Sequence, residues 1–326
     1  MTWDGSELSP PDLAPLSVVA LGGGHGLSAS LSALRRVVEH VTAVVTVADN
    51  GGSSGRLREE FGCLPPGDLR QALAALCGDD DWGNTWARVL QHRFASTGPM
   101  HEHAVGNLLI VALWELLGDH VNGLAWVARL LGAQGTVLPM SVAPIDIEAE
   151  VRGVSASEPD ALTTVRGQVE VASTAGQVVS IDLSPANPPA CPEALEAVAE
   201  ADWIVLGPGS WFTSVIPHLL VPDLRRAIVS APARRAVTLN LSPQTGETDG
   251  YSAEAHLEVL GSYASELKLD VVLADERAVT DVARLRSTAA SFGADLVMAD
   301  VAADDGTPRH DAVKLANAYA SFLREA

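Results

Sequence analysis

A single unit recurs along this chain and limits the folds open to it. A short run of Val, Ile, Leu and Ala, apolar at nearly every position, stops abruptly at small or polar residues. The unit appears as SVVAL (17–21), VTAVVTVA (41–48), WIVL (203–206), AVTLNL (236–241), DVVLA (270–274) and DLVMA (295–299). Unbroken apolar runs of this length predict strands covered on both faces, as in a parallel sheet between helical layers. Between the first two runs lies LSASLSALRRVVEHV, with Leu27, Leu31, Leu34, Val38 and Val41 at three- and four-residue steps, the pattern of one apolar helix stripe. Strand, helix and strand again imply a right-handed βαβ unit. The expected fold class is α/β, a Rossmann-like doubly wound, mostly parallel sheet.

The middle of the chain breaks this rhythm. Residues 84–133 read as a helical insertion. Residues 145–183 alternate with period two through Ile145, Ile147, Ala149 and Val151, then Val169, Val171, Ile181 and Leu183. With a turn expected at Thr174-Ala175-Gly176, that predicts a small antiparallel β element. The opening MTWDGSELSPPDLAP is polar and proline-rich, without the basic and apolar regions of a signal peptide, and reads as a disordered tail over 1–15. Residues 16–326 are expected to form a single domain, since 326 residues that are 47% hydrophobic can bury one large core.

Charge and cysteine content narrow the function classes. A formal charge of −20 disfavours broad nucleic-acid binding, because a polyanion is repelled, but it leaves room for a small phosphorylated ligand held by local donors. The apolar stretch AVGNLLIVALWELL (104–117) is too short to span a bilayer, so no membrane insertion is expected. Cys63, Cys77 and Cys191 lack paired spacing, which argues against disulfides and for a cytoplasmic location.

The chemistry is expected where the apolar runs end. SVVAL leads into GGGHG, VTVAD into NGGSSGR, WIVL into GPGSWFTS and AVTLNL into SPQTGETDGY. In an open α/β sheet these loops gather at the carboxyl edge, where helix N-termini and unobstructed amides suit a phosphate. Asp49, closing the second run, suits a ribose hydroxyl, a Mg2+ ion or a helix cap. Arg56 suits a phosphate or a pairing with Glu59 and Glu60, and Arg58 suits the latter. Pro65-Pro66-Gly67 makes a turn, with Asp68 expected as the N-cap of LRQALAAL. His101 and His103 lack a third zinc ligand, so His103 beside Gly106-Asn107 is expected to touch a ligand. Leu27 stands where the third glycine of G-x-G-x-x-G belongs, which places an NAD-type dinucleotide third among the ligands considered.

Taken together, GGGHGLS, TVADNGGSSGRLREEFGCLPPGDLRQALAAL, HAVGNLL, ADWIVLGPGSWFTSVIPHLLV, QTGETDGY and RHDAVKLA resemble the YvcK family of gluconeogenesis factors, relatives of 2-phospho-L-lactate transferase. The resemblance implies a cytoplasmic regulatory protein that binds nucleotide sugars such as UDP-N-acetylglucosamine. The role it suggests lies in cell shape, cell-wall synthesis and gluconeogenic growth. It also implies a homodimer and a cell-wall regulatory protein partner. By motif match the ligand contacts are Gly22, Gly23, Gly24, Gly26, Asp49, Gly51, Gly52, Ser53, Ser54, His103, Asn107, Gly209, Ser210, Thr213 and Arg309, with His25, Asn50 and Arg56 beside them. His25 departs from a family threonine and Asn50 from a second aspartate. The Asn50 change weakens a Mg2+ site built on Asp49, because an amide brings no charge. A non-catalytic binder that requires no cofactor is therefore preferred, and a Mg2+-dependent transferase with Asp49 at the metal is the alternative.

Overall fold

The apolar runs become strands wherever helices cover both of their faces. The computed structural model describes residues 14–324 except 156, 159 and 245. Its strands are β1 (Ala14–Gly22), β2 (Val38–Val45), β3 (Thr136–Pro139), β4 (Asp146–Arg152), β5 (Leu162–Arg166), β6 (Gln177–Ser184), β7 (Trp203–Leu206), β8 (Arg234–Thr238), β9 (Val271–Asp275) and β10 (Asp295–Ala299). Seven of them form one sheet in the order β10-β9-β8-β7-β1-β2-β3, with parallel pairing throughout. The central strands are the driest: Val18 to Leu21 and Trp203 to Leu206 are almost fully buried. A separate antiparallel sheet has the order β5-β4-β6.

The helices used below are α1 (Gly24–Leu34), α2 (Gly52–Phe61), α3 (Gly67–Ala75), α4 (Asp81–Gln91), α5 (Val105–Leu117), α6 (His120–Leu131) and α7 (Gln168–Ala172). Leu27, Leu31 and Leu34 of α1 are buried, and α1 packs on β1, α3 and the last helix, Ala312–Leu323. The helical insertion appears as α4 to α6. Further helices, among them Pro192–Glu200 and Pro222–Ser230, link the second half of the sheet.

The order of strands sets the site. The chain runs outward from β1 through β2 to β3, then returns to the other flank of β1 and runs from β7 to β10. Crossovers of one hand that leave in opposite directions place their helices on opposite faces. The loops after β1 and β7 therefore part at the carboxyl edge and open a crevice there.

Several expectations need correction. The apolar stripe was expected to continue to Val41, but α1 ends at Leu34 and Val38 and Val41 belong to β2. Three- and four-residue spacing cannot separate a helix from a following buried strand, and the β-branched run from Val37 favours the strand. Val169 and Val171 lie in α7 instead of a strand, and residues 174–176 join α7 to β6. Strand β3 was missed, being four residues at the sheet edge. β1 starts at Ala14, inside the expected tail, and the rest of that tail lies outside the described residues.

Candidate functional site

Two hollows meet at the crevice between the β1 and β7 loops. The smaller, about 400 Å3, is lined by Gly23, Gly24, His25 and Gly26 from the first loop and Gly209, Ser210, Thr213 and Ser214 from the third. Asp49, Asp68, Gln71 and Glu247 add polar walls, and α7 closes one side with Gln168, Val169 and Ala172. The larger, about 640 Å3, runs from the same His25, Gly26 and Gly209 past Asn240 and Gln244 to Pro308, Arg309 and His310. The shared residues make one bipartite cleft.

The wall between the hollows is backbone against backbone. A Cβ on Gly26 would lie 2.4 Å from the Pro208 carbonyl oxygen and 2.5 Å from the Gly209 Cα, so only glycine lets the two loops touch. Gly24 opens α1 at φ +56°, the left-handed region. The N-cap of α1, Gly23, offers no side chain to its first turn, which leaves that helix end suited to an anion.

Fewer amides converge than the glycines suggest. The Gly24 amide lies on the Asp68 side of the loop and favours the charged carboxylate there. The Gly209 N–H donates to Asn240 Oδ1 at 2.9 Å, while Asn240 Nδ2 donates to the Gly209 carbonyl at 2.7 Å. Asn240 thus fixes the third loop, and the N-terminal turn of α1 is the amide surface left facing the cleft.

Three carboxylates dominate the smaller hollow. Asp68 is not the helix cap expected from the sequence: α3 begins at Gly67 after Pro66, and Asp68 turns back from its first turn toward α1. Burial first, then the neighbouring Asp49 charge, push the Asp68 carboxyl up to about 7, with the Gly24 amide and Arg70 opposing. Asp49 is held by the Gly51 N–H at 2.8 Å. Glu247 accepts from Ser210 Oγ at 2.5 Å, Thr213 Oγ1 at 2.9 Å and the Phe212 N–H at 3.3 Å. Burial raises its carboxyl above the usual glutamate range against those hydrogen bonds. Ser210 and Thr213 are therefore occupied in holding Glu247, at the start of a π-helical turn over Trp211–Val215.

The second glycine-rich loop follows a different course. Ser53 Oγ accepts from Asn107 Nδ2 at 3.0 Å and the Ala104 N–H at 3.3 Å, so its own proton goes to His103 Nδ1 at 3.1 Å. Burial first, then the Arg56 charge, lowers the His103 pKa. Ser53, Ser54, His103 and Asn107 are all buried. Arg56 donates to the His101 carbonyl at 2.7 Å. Asn50 faces α7: its Nδ2 donates to Glu170 at 2.7 Å and its Oδ1 accepts from the Val169 N–H at 3.0 Å.

Of the sequence-derived residues, Gly23, Gly24, His25, Gly26, Asp49, Gly209, Ser210, Thr213 and Arg309 thus line the cleft. Gly22, Asn50, Gly51, Gly52, Ser53, Ser54, Arg56, His103 and Asn107 line neither hollow. Asp68, Asn240, Gln244, Glu247 and His310 were missed. Gln244 Oε1 and His310 Nε2 are buried without a partner among the described residues, at the larger hollow, where a ligand would satisfy them. The only signal for Glu247 was its place in QTGETDGY, and Asp68 carried one in following a Pro-Pro-Gly turn that had already started the helix.

Among the described residues no group of three His, Cys, Asp or Glu is placed to hold a metal, and no helix is long and apolar enough to cross a membrane.

Comparison with known proteins agrees with this architecture. The family model for 2-phospho-L-lactate transferase CofD matches residues 18–313. The putative gluconeogenesis factor of Mycobacterium tuberculosis is 51% identical over 302 residues, which is 92% of this chain and 88% of that protein. The gluconeogenesis factor of Listeria monocytogenes is 34% identical over 317 residues, covering 94% and 95%. A solved structure of a UPF0052 family member from Bacillus halodurans, 33% identical, has a TM-score of 0.82 and covers 94% of this chain and 99% of that one. The chain belongs to the CofD family and, within it, to the gluconeogenesis factors.

Proposed function

We propose that this protein is a cytoplasmic, ligand-sensing regulator that binds a nucleotide sugar of the UDP-N-acetylglucosamine type along the bipartite cleft. The observation that carries this is the shared wall: His25, Gly26 and Gly209 border both hollows at the N-terminus of α1. A diphosphate over that helix end is favoured by its dipole. The nucleoside then extends into the larger hollow, where Arg309, Gln244 and His310 offer hydrogen-bonding groups. The sugar extends into the smaller one, where Asp49 and Glu247 accept from hydroxyls. Its level would report cell-wall precursor supply and so bear on cell shape, wall synthesis and gluconeogenic growth through a regulatory protein partner.

Titration with UDP-N-acetylglucosamine, UDP-glucose, NAD and GDP, followed by calorimetry and thermal melting, tests the proposal. A ligand at 100 times its Kd stabilises the fold by about 2.7 kcal/mol. The two UDP-sugars should do so, and Arg309→Ala should remove most of the effect. No shift with any uridine nucleotide would end the idea.

A second function, Mg2+-dependent transfer from a nucleotide-activated or diphosphate substrate, is favoured by one observation. The carboxylate partner of Asp49 is Asp68, not position 50, so Asn50 does not weaken the pair. Mg2+ is commonly held by one or two carboxylates plus substrate phosphates, which this pair fits. When bound, the ion would supply positive charge against the departing nucleotide. Asp49 and Asp68 would hold it, and the α1 N-terminus would orient the phosphates. Product formation that stops on chelation and in Asp49→Asn is the expected result; Mg2+-independent binding with no turnover argues against it.

A further inference from the structure

Arg309 is the only arginine or lysine among the described residues lining either half of the cleft, and its guanidinium is already engaged. Its Nε donates to Thr307 Oγ1 at 3.0 Å and its Nη2 to Asp305 Oδ2 at 2.7 Å. Thr307 Oγ1 in turn donates to Asp305 Oδ1 at 2.5 Å, and the Thr307 N–H reaches the same oxygen at 2.9 Å. A guanidinium grips a phosphate through two parallel N–H donors, and Nε with Nη2 is one such edge. Here a hydroxyl and a carboxylate of the protein occupy that edge as two phosphate oxygens would. The Thr307 hydroxyl and amide, then Arg309, hold the Asp305 carboxyl down to about 2, so its charge persists at neutral pH.

The loop that carries these three residues is fixed at its root. An antiparallel bridge joins Ala302 to His310, and the Ala303 N–H donates to the Arg309 carbonyl at 2.8 Å. Lys314 donates to the Ala302 carbonyl at 3.0 Å and to Asp304 at 2.7 Å. Asp304 therefore anchors the loop, while Asp305, next along the chain, holds Arg309. The Arg309 side chain is 70% exposed and that of Asp305 47%, so water screens the pair and holds it weakly closed. A diphosphate carries more charge than one carboxylate and can draw Arg309 away by side-chain rotation, with the loop root intact.

We propose that Asp305 and Thr307 form an internal latch, which occupies the phosphate-binding edge of Arg309 and sets the affinity of the cleft by competing with the ligand. This rests on the nucleotide-sugar reading above. Calorimetry with UDP-N-acetylglucosamine on the wild type, Asp305→Asn, Arg309→Ala and the double variant tests it. Asp305→Asn keeps an oxygen for the Thr307 hydroxyl and amide but removes the charge, so the Kd should fall about threefold. In the Arg309→Ala background the same substitution should leave the weaker Kd, read at higher ligand concentration, unchanged, because no guanidinium remains to be released. Thr307→Val removes the other oxygen and should also tighten binding. An unchanged or higher Kd in Asp305→Asn or Thr307→Val overturns the latch. So does an equal gain in the Arg309→Ala background, which would make Asp305 a general repulsive charge. Either result with a wild type that binds leaves the nucleotide-sugar reading standing, whereas no binding by any of these chains ends both.

Discussion

The loops after β1 and β2 look alike as sequence, GGGHG and NGGSSG, yet they do different work. The first presses Gly26 against Pro208-Gly209 and turns the N-terminus of α1 to the cleft. The second sends Ser53 inward to His103, Asn107 and the Ala104 amide, and gives Asn50 to α7. Small residues serve two ends, close backbone approach to a ligand and close packing of the protein on itself. Only the neighbour across the gap tells them apart.

The sharpest way to break this contrast is Gly26→Ala. The added methyl meets backbone and not a flexible side chain, so it should weaken nucleotide-sugar binding at least about 100-fold and cost about 1–3 kcal/mol of stability. Normal affinity with an unchanged melt would mean the two loops need not touch.

Asp68→Asn probes the acidic side of the first loop. The native carboxyl holds its proton up to about 7, while the unfolded chain releases it near 3.8. Wild-type stability should therefore fall as pH rises between those values and level off above. The variant should lack this slope and exceed the wild type at pH 8 by on the order of 2 kcal/mol. Parallel pH profiles of denaturant unfolding for the two proteins would contradict it.

Ser53→Ala takes the other loop. Removing the hydroxyl leaves Asn107 Nδ2 and the Ala104 N–H unpaired in a buried place, at a cost of roughly 1–2 kcal/mol. Affinity measured well below the melting temperature should change less than about threefold. A large loss of affinity without a loss of stability would return Ser53 to the ligand site.

The smallest effect is expected from Asn50→Asp. The amide that donates to Glu170 becomes a second carboxylate, and α7 should loosen by up to about 1 kcal/mol, read as faster amide exchange over 168–172. If exchange there is unaltered, Asn50 does not hold that wall.

Much of the fold is legible in the sequence. Val18 to Leu21 of β1 and all of β7 are covered on both faces, so each of those positions had to be apolar and the runs stood out. β3, four residues at an edge, had no such pressure along its length. Val169 and Val171 alternate as a strand would, yet α7 takes them because Gly167 at φ +106° and the Asn50 side chain set a turn there. In the site, glycines and Asp49 were legible because each followed a strand. Glu247, Gln244 and His310 were not, since a polar loop residue is written the same way whether it faces water or a cavity.

What the sequence determined by itself is the alternation of buried strand and small-residue loop, hence a parallel sheet with its loops at one edge, because hydrophobic period and glycine placement are local properties. What the tertiary structure alone decided is which loops share a hollow. The reversal of strand order beside β1 brings the 22–26 and 207–214 segments together and leaves the Ser53 loop facing α5, and that pairing depends on residues nearly two hundred positions apart.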